Sequence, residues 1–143
     1  MITVTLLGTS CMVPTKDRNV SGFYLDYKGE GLLFDCGEGT QRQMNIVNIN
    51  RNKIKKILIS HWHADHVSGI LGLIHTISNN QTDTALEIFG PKDTKKRFKS
   101  LLDSTPTGKI GQMNIIVKEL DIKKEPALIV IEDSIDFKDT IFE

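Results

Sequence analysis

The sequence predicts a layered α/β domain with a mixed, largely antiparallel sheet and flanking helices. Three observations lead there. Short runs rich in β-branched and aromatic residues crowd the first part of the chain, as in Ile2-Thr3-Val4-Thr5-Leu6-Leu7 and Gly22-Phe23-Tyr24-Leu25-Asp26-Tyr27. Apolar residues at helical spacing then separate the middle strands, most clearly Val67, Ile70, Leu71, Ile74 and Ile77. Finally, 143 residues, 39% of them apolar, suffice for one core without disulfides.

The first strand closes at Gly8, and residues 9–19 form a loop containing Pro14. The second strand, 22–27, leads through a glycine-bearing turn at 28–31 into a short buried strand, 32–34, that ends at Asp35. These strands read as an antiparallel ladder. Gly37-Glu38-Gly39-Thr40 is a turn that launches a short helix, with Gln41, Met44 and Val47 at near-helical spacing. Residues 55–60 form the next strand, and the helix from Val67 onward follows it. Residues 86–89 are a strand. Pro91 then suits the first turn of a helix carrying Phe98, Leu101 and Leu102, which Thr105-Pro106-Thr107-Gly108 breaks. Residues 114–120, 128–131 and 137–142 read as further strands. The last of them stops with the chain and needs cover or a partner for its edge.

Formal net charge is zero, so the bulk field does not gather polyanions, although local patches act independently of it. Two basic runs, Arg51, Lys53, Lys55, Lys56 and Lys92, Lys95, Lys96, Arg97, Lys99, read as solvated faces. Cys11 and Cys36 are the only cysteines, which points away from a disulfide scaffold and toward a reducing cytoplasm. An apolar strand follows Met1 directly without a basic leader, and no stretch reaches the length of a membrane span. A cytoplasmic protein without membrane attachment is therefore expected.

The chemistry concentrates in Ser60-His61-Trp62-His63-Ala64-Asp65-His66. Imidazole and carboxylate are borderline donors that suit zinc first, and iron or manganese less well. If the chain leaves the strand in extended conformation, His61 and His63 point the same way and grip one metal. Asp65 and His66, at the turn into the helix, are placed to grip a second, about 3.5–4 Å away. The N-terminus of the following helix adds positive potential for anionic ligands or phosphate. A lone histidine is usually structural, and His75, near the apolar face of the next helix, is read that way. Three histidines and an aspartate packed at a strand-to-helix junction are hard to obtain as background. Trp62 is expected to pack beside the site. Asp35, at the end of a buried strand, must be hydrogen-bonded or near a cation, and is placed to orient the metal loop. Cys36 is read as a small buried hydrophobe.

His61-Trp62-His63-Ala64-Asp65-His66 matches the His-x-His-x-Asp-His motif of the metallo-β-lactamase superfamily. Further stretches narrow the resemblance: Leu6-Leu7-Gly8-Thr9, the loop Pro14-Thr15-Lys16-Asp17-Arg18-Asn19, the run Phe34-Asp35-Cys36-Gly37-Glu38-Gly39-Thr40-Gln41, Gly69-Ile70-Leu71-Gly72-Leu73 and Ile88-Phe89-Gly90-Pro91. With these the chain resembles the N-terminal half of the ribonuclease Z family, endonucleases that trim the 3′ side of precursor transfer RNA. The resemblance implies the αββα fold of that family. It implies two Zn2+ ions in a complete site, the first on His61 and His63, the second on Asp65 and His66. It makes Asp65 a proton-transfer residue and catalytic candidate, and Asp35 the structural acid of the motif. Lys16, Arg18 and Asn19 fall in a loop implied to border the active site and meet RNA or phosphate.

The chain also departs from the family. The resemblance implies a further histidine ligand, a bridging aspartate and a final histidine from a second half, and no histidine follows His75. The family's RNA-binding arm is missing too. The expectation is therefore residues 1–143 as an N-terminal half-domain, truncated or split, weak or inactive alone, and completed by a complementary C-terminal half or by a homodimer. Two alternatives stand beside it: another hydrolase or phosphodiesterase of the superfamily, or a non-catalytic metal-binding half or subunit of a split enzyme.

Overall fold

Residues 1–80, 85–106 and 108–121 are described by the computed structural model. Among the described residues, six strands form one sheet in sequence order: β1 (Ile2–Gly8), β2 (Gly22–Tyr27), β3 (Glu30–Phe34), β4 (Ile54–Leu58), β5 (Leu86–Gly90) and β6 (Ile115–Glu119). Four helices accompany them: α1 (Thr40–Ile46), α2 (Ala64–Val67), α3 (Ile70–Asn80) and α4 (Thr94–Asp103). The expected α/β class and mixed sheet are present. Residues 128–131 and 137–142, expected as strands, lie outside the described residues.

β1, β2 and β3 pair antiparallel, whereas β3–β4, β4–β5 and β5–β6 are parallel. A largely antiparallel sheet is thus a correct expectation only for the first three strands. The reason is connectivity: helical segments separate β3 from β4, β4 from β5 and β5 from β6, and such crossovers return the chain in the same direction. The β2–β3 connection is tighter than expected. Tyr27 pairs with Glu30, leaving a two-residue loop in which Lys28 (φ 49°) and Gly29 (φ 88°) are both left-handed, the hairpin geometry that matches strand twist.

The register sorts side chains onto two faces. Tyr24, Leu33, Ile57 and Ile88 stand side by side on one and enter a core with Met44 of α1, Ile70, Leu73, Ile74 and Ile77 of α3, and Phe98 of α4. The helical stripe differs from expectation in one member: Leu73 is fully buried and Leu71 only half-buried. The cause is a break. The chain after the metal loop makes the four-residue α2, then restarts at Ile70, so the i, i+3, i+4, i+7 count runs from there. On the opposite face, Tyr27 and Leu32 cluster with Leu25, Phe34 and Leu58, and the rings of Phe23 and Phe34 stack at 4.3 Å. Ile2, Val4 and Leu6 extend this face along β1 and are 48%, 55% and 67% exposed. Among the described residues no helix is long and apolar enough to cross a membrane.

Candidate metal centre

Two chain segments meet at the ends of β3 and β4. Asp35 follows β3 in a left-handed conformation (φ 57°), and its N–H donates to Leu58 O (2.8 Å). The following residues are stitched to the metal loop: Cys36 N–H donates to His66 O (2.7 Å) and Gly69 N–H to Cys36 O (2.9 Å). Glycine is required at this crossing. A Cβ on Gly37 would lie 1.9 Å from Asp65 O, and one on Gly69 would lie 2.1 Å from Gly37 O. The break between α2 and α3 is therefore where backbone packs on backbone. The same break corrects the helix-terminus expectation, because a four-residue turn aligns too few peptides to sum to a macrodipole.

Asp35 organises the loop. Its carboxylate accepts from Ser60 N (2.8 Å), Ser60 Oγ (2.8 Å) and His66 Nδ1 (2.7 Å). Because the single hydroxyl proton of Ser60 goes to Asp35, Ser60 Oγ accepts from His61 Nδ1 at 3.0 Å. This network assigns the ring protons of His61 and His66 to Nδ1 and leaves both Nε2 atoms as lone pairs. Ser60 escapes a motif-based reading, although its place between the strand and His61 marks it.

The freed lone pairs face other donors. His61 Nε2 lies 3.0 Å from His63 Nδ1, and His66 Nε2 lies 3.4 Å from Asp65 Oδ2. The His61 and His66 ring centres are 4.0 Å apart, so the two pairs adjoin. Two ligands of one tetrahedral zinc, each about 2.0–2.2 Å from it, stand about 3.3 Å apart. The paired spacings fit a cation, and two facing acceptors need a proton or a cation between them. Among the described residues, no three His, Cys, Asp or Glu groups gather around one such point. The donors come as pairs.

Asp65 is buried, and its carboxyl is held below the ordinary range chiefly by the Met12 N–H, which donates to Oδ2 at 2.9 Å; burial opposes this, and His66 and His61 add to it. Met12 (φ 55°) belongs to the long first loop and was not legible as a site residue. That contact ties the loop to the metal loop. Within the loop, Lys16 and Arg18 are exposed, while Asn19 is employed structurally. Its side-chain amide donates to Glu38 O (2.9 Å) and its carbonyl accepts from Thr9 and Ser10 N–H. Cys36 is fully buried, and burial pushes its thiol up to about 12. Trp62 packs against the core and donates from Nε1 to Thr94 Oγ1 (2.9 Å). His75 lies 3.4 Å from Thr105 Oγ1, outside the cluster.

Comparison with known proteins gives a consistent set of similarities. A family model described as anti-Pycsar protein Apyc1 matches residues 2–134. Ribonuclease Z of Methanococcus aeolicus is 41% identical over 130 residues, covering 88% of this chain and 38% of its own length. Ribonuclease Z of Methanothermobacter thermautotrophicus is 47% identical over 91 residues, covering 64% of this chain and 30% of its own length. The crystal structure of human tRNase Z, short form, superposes with a TM-score of 0.70 at 32% identity, covering 88% of this chain and 48% of that one. The metallo-β-lactamase fold protein YhfI of Bacillus subtilis superposes equally well, with a TM-score of 0.70 at 20% identity, over 90% of this chain and 48% of that one. The chain thus spans well under half the length of the curated relatives it matches.

Proposed function

We infer the function from descent: the chain belongs to the family described as anti-Pycsar protein Apyc1, and is a ribonuclease Z relative with the metallo-β-lactamase fold. We propose that it supplies the first half of a zinc-dependent endoribonuclease that cleaves precursor transfer RNA at its 3′ side. The observation that carries this is the pair of adjoining donor pairs, with both His61 and His66 held in the tautomer that frees Nε2.

His61 and His63 would hold one zinc, and Asp65 and His66 the other. Zinc bound there would supply Lewis-acid stabilisation of phosphoryl charge and a lowered pKa for the attacking water. Asp35 and Ser60 orient the imidazoles. Asp65, which Met12 N–H holds in place at 2.9 Å, would be the group to accept and return a proton. Lys16 and Arg18, exposed on the loop that Met12 anchors, meet nonbridging phosphate oxygens, Arg18 through its two-pronged donor fork.

Two donors per metal fall short of the three protein ligands usual for catalytic zinc. A displacement of about 1 Å at a reacting centre costs about two orders of magnitude in rate. We therefore propose that these residues alone turn over slowly or not at all. The remaining ligands would come from a complementary C-terminal half seated on the apolar face of Ile2, Val4, Leu6 and Phe23, or from a second copy of the chain. The free thiols of Cys11 and Cys36 suit a cytoplasmic setting.

A second reading, another hydrolase or phosphodiesterase of the same superfamily, has one observation in its favour: the family model over residues 2–134 is described as anti-Pycsar protein Apyc1 rather than ribonuclease Z. The two readings separate in a side-by-side assay of precursor transfer RNA against cyclic and linear small phosphodiesters, with zinc or manganese. The first reading expects transfer RNA cleavage only when a C-terminal half is added. Multiple turnovers of transfer RNA by the chain alone, abolished in Asp65→Ala, would refute its dependence on a partner. Turnover of small diesters without transfer RNA cleavage under any condition would refute the substrate.

A further inference from the structure

On the Trp62 side of the metal loop, a cleft of about 610 Å3 runs along α4, lined by Trp62, Val67, Lys96, Arg97, Ser100 and Ser104, with Asp93 its one lining carboxylate. Nothing in the reaction above uses it. Residues 96, 97, 100 and 104 fall on one stripe of α4 because three- and four-residue steps stack on a helix, and Phe98 is buried on the other side. The basic run is therefore not one uniform solvated face. On the neighbouring stripe Lys99 is paired with Asp103 at 2.7 Å. On the cleft stripe, Lys96 and Arg97 are exposed and have no ion-pair partner among the described residues.

We propose that this cleft binds the ribose-phosphate backbone of RNA beside the cleavage site, Lys96 and Arg97 on phosphates and the Ser100 and Ser104 hydroxyls on phosphate or 2′-hydroxyl oxygens. The proposal rests on the phosphodiesterase reading above. A chain of zero net charge draws no polyanion by its bulk field, so backbone affinity must come from local unpaired cations. This pair lies where it is needed. Trp62 of the metal loop and Val67 of α2 form part of the cleft wall, so the cleft adjoins the segment that carries the metal donors. The Lys16 and Arg18 loop reaches the same metal loop from Asp65, through Met12 N. The two basic elements thus adjoin the metal loop at different residues.

The test is binding of a labelled precursor transfer RNA to the whole chain, without added metal, across a series of salt concentrations. Lys96→Ala/Arg97→Ala should weaken binding roughly tenfold and reduce the slope of log Kd against log salt by about 1.4–1.8, the loss of two phosphate contacts. Lys95→Ala/Lys99→Ala removes the same charge from the neighbouring stripe and should change the slope by less than half as much. All four side chains are exposed, so thermal melting should be unchanged in both variants. Equal slopes in wild type and Lys96→Ala/Arg97→Ala, equal losses in the two double variants, or no RNA binding by the wild-type chain would each overturn the proposal. Cleavage is scored separately, with a C-terminal half added. Binding with the expected slopes but no cleavage leaves the cleft standing and removes the nuclease reading; cleavage with unaltered slopes removes the cleft alone.

Discussion

Replacing Asp35 by alanine removes the one acceptor that three groups of the metal loop share: Ser60 N, Ser60 Oγ and His66 Nδ1. Hydrogen bonds to a charged group contribute about 1.5–3 kcal/mol each when fully desolvated. Here Ser60 is exposed and the Asp35 side chain is 13% exposed, so water replaces part of what is lost, and about 2–3 kcal/mol in total is the expected loss. Alanine is also poorly suited to φ 57°, which adds about 1 kcal/mol that aspartate and asparagine largely avoid. Together these give about 3–4 kcal/mol, a large fraction of a typical domain's stability. At about 3 °C per kcal/mol for a domain of this size, Tm should fall by about 10 °C. Asp35→Asn, which keeps the shape and tolerates the backbone, should cost about half as much. Loss of the orienting carboxylate should also weaken zinc binding about 10–100-fold. Circular dichroism melts and a zinc competition titration on both variants provide the assay. A Tm and zinc affinity for Asp35→Ala equal to those of an exposed-acid control such as Asp17→Ala would refute the orienting role.

Three further outcomes follow from the same structure. Of the two thiols, only exposed Cys11 should react with a thiol reagent in the folded chain, and raising the pH from 7 to 9 should not expose Cys36. Its thiol is held protonated up to about 12 by burial, so fast labelling of both would refute the packing described. Gly69→Ala places a methyl 2.1 Å from Gly37 O, backbone against backbone, and should destabilise by about 2 kcal/mol or more. Gly72→Ala, with nothing within 4 Å of its Cβ, should be neutral or slightly stabilising in the same melt. Val4→Lys/Leu6→Lys should reduce concentration-dependent self-association of the chain in sedimentation velocity; unchanged association would show that the β1 apolar face does not mediate it.

The parts of the fold legible in the sequence are those that periodicity governs. The β1–β3 ladder, β4 running into the histidines, and the buried stripe of α3 all follow from spacing. The parallel pairings of β3 through β6 follow from the helical crossovers between them, a consequence of connectivity rather than of the residue pattern within any strand. The break at Ser68 and Gly69 is invisible to an apolar count because Val67 and Ile70 already stand at helical spacing. Only the approach of Gly37 to the loop explains it. For the site, donor type and strand alternation suffice to pair His61 with His63. Met12 N reaches Asp65 across 53 residues, and a backbone donor leaves no trace in residue identity. Asn19 adds a contact that motif reading does not reveal: its side-chain amide donates to Glu38 O.

Metal binding by His61, His63, Asp65 and His66, as proposed, is measured most directly by zinc content. The chain should be purified without affinity-tag histidines, dialysed against a metal buffer, and assayed by plasma emission beside His61→Ala/His63→Ala and Asp65→Ala/His66→Ala. Bound zinc is expected in the wild-type chain, reduced in each double variant and lost when all four are replaced, and replacing exposed His63 alone should leave the melting temperature in chelator unchanged. Equal, near-zero zinc in the wild-type and double-variant chains would contradict the proposal.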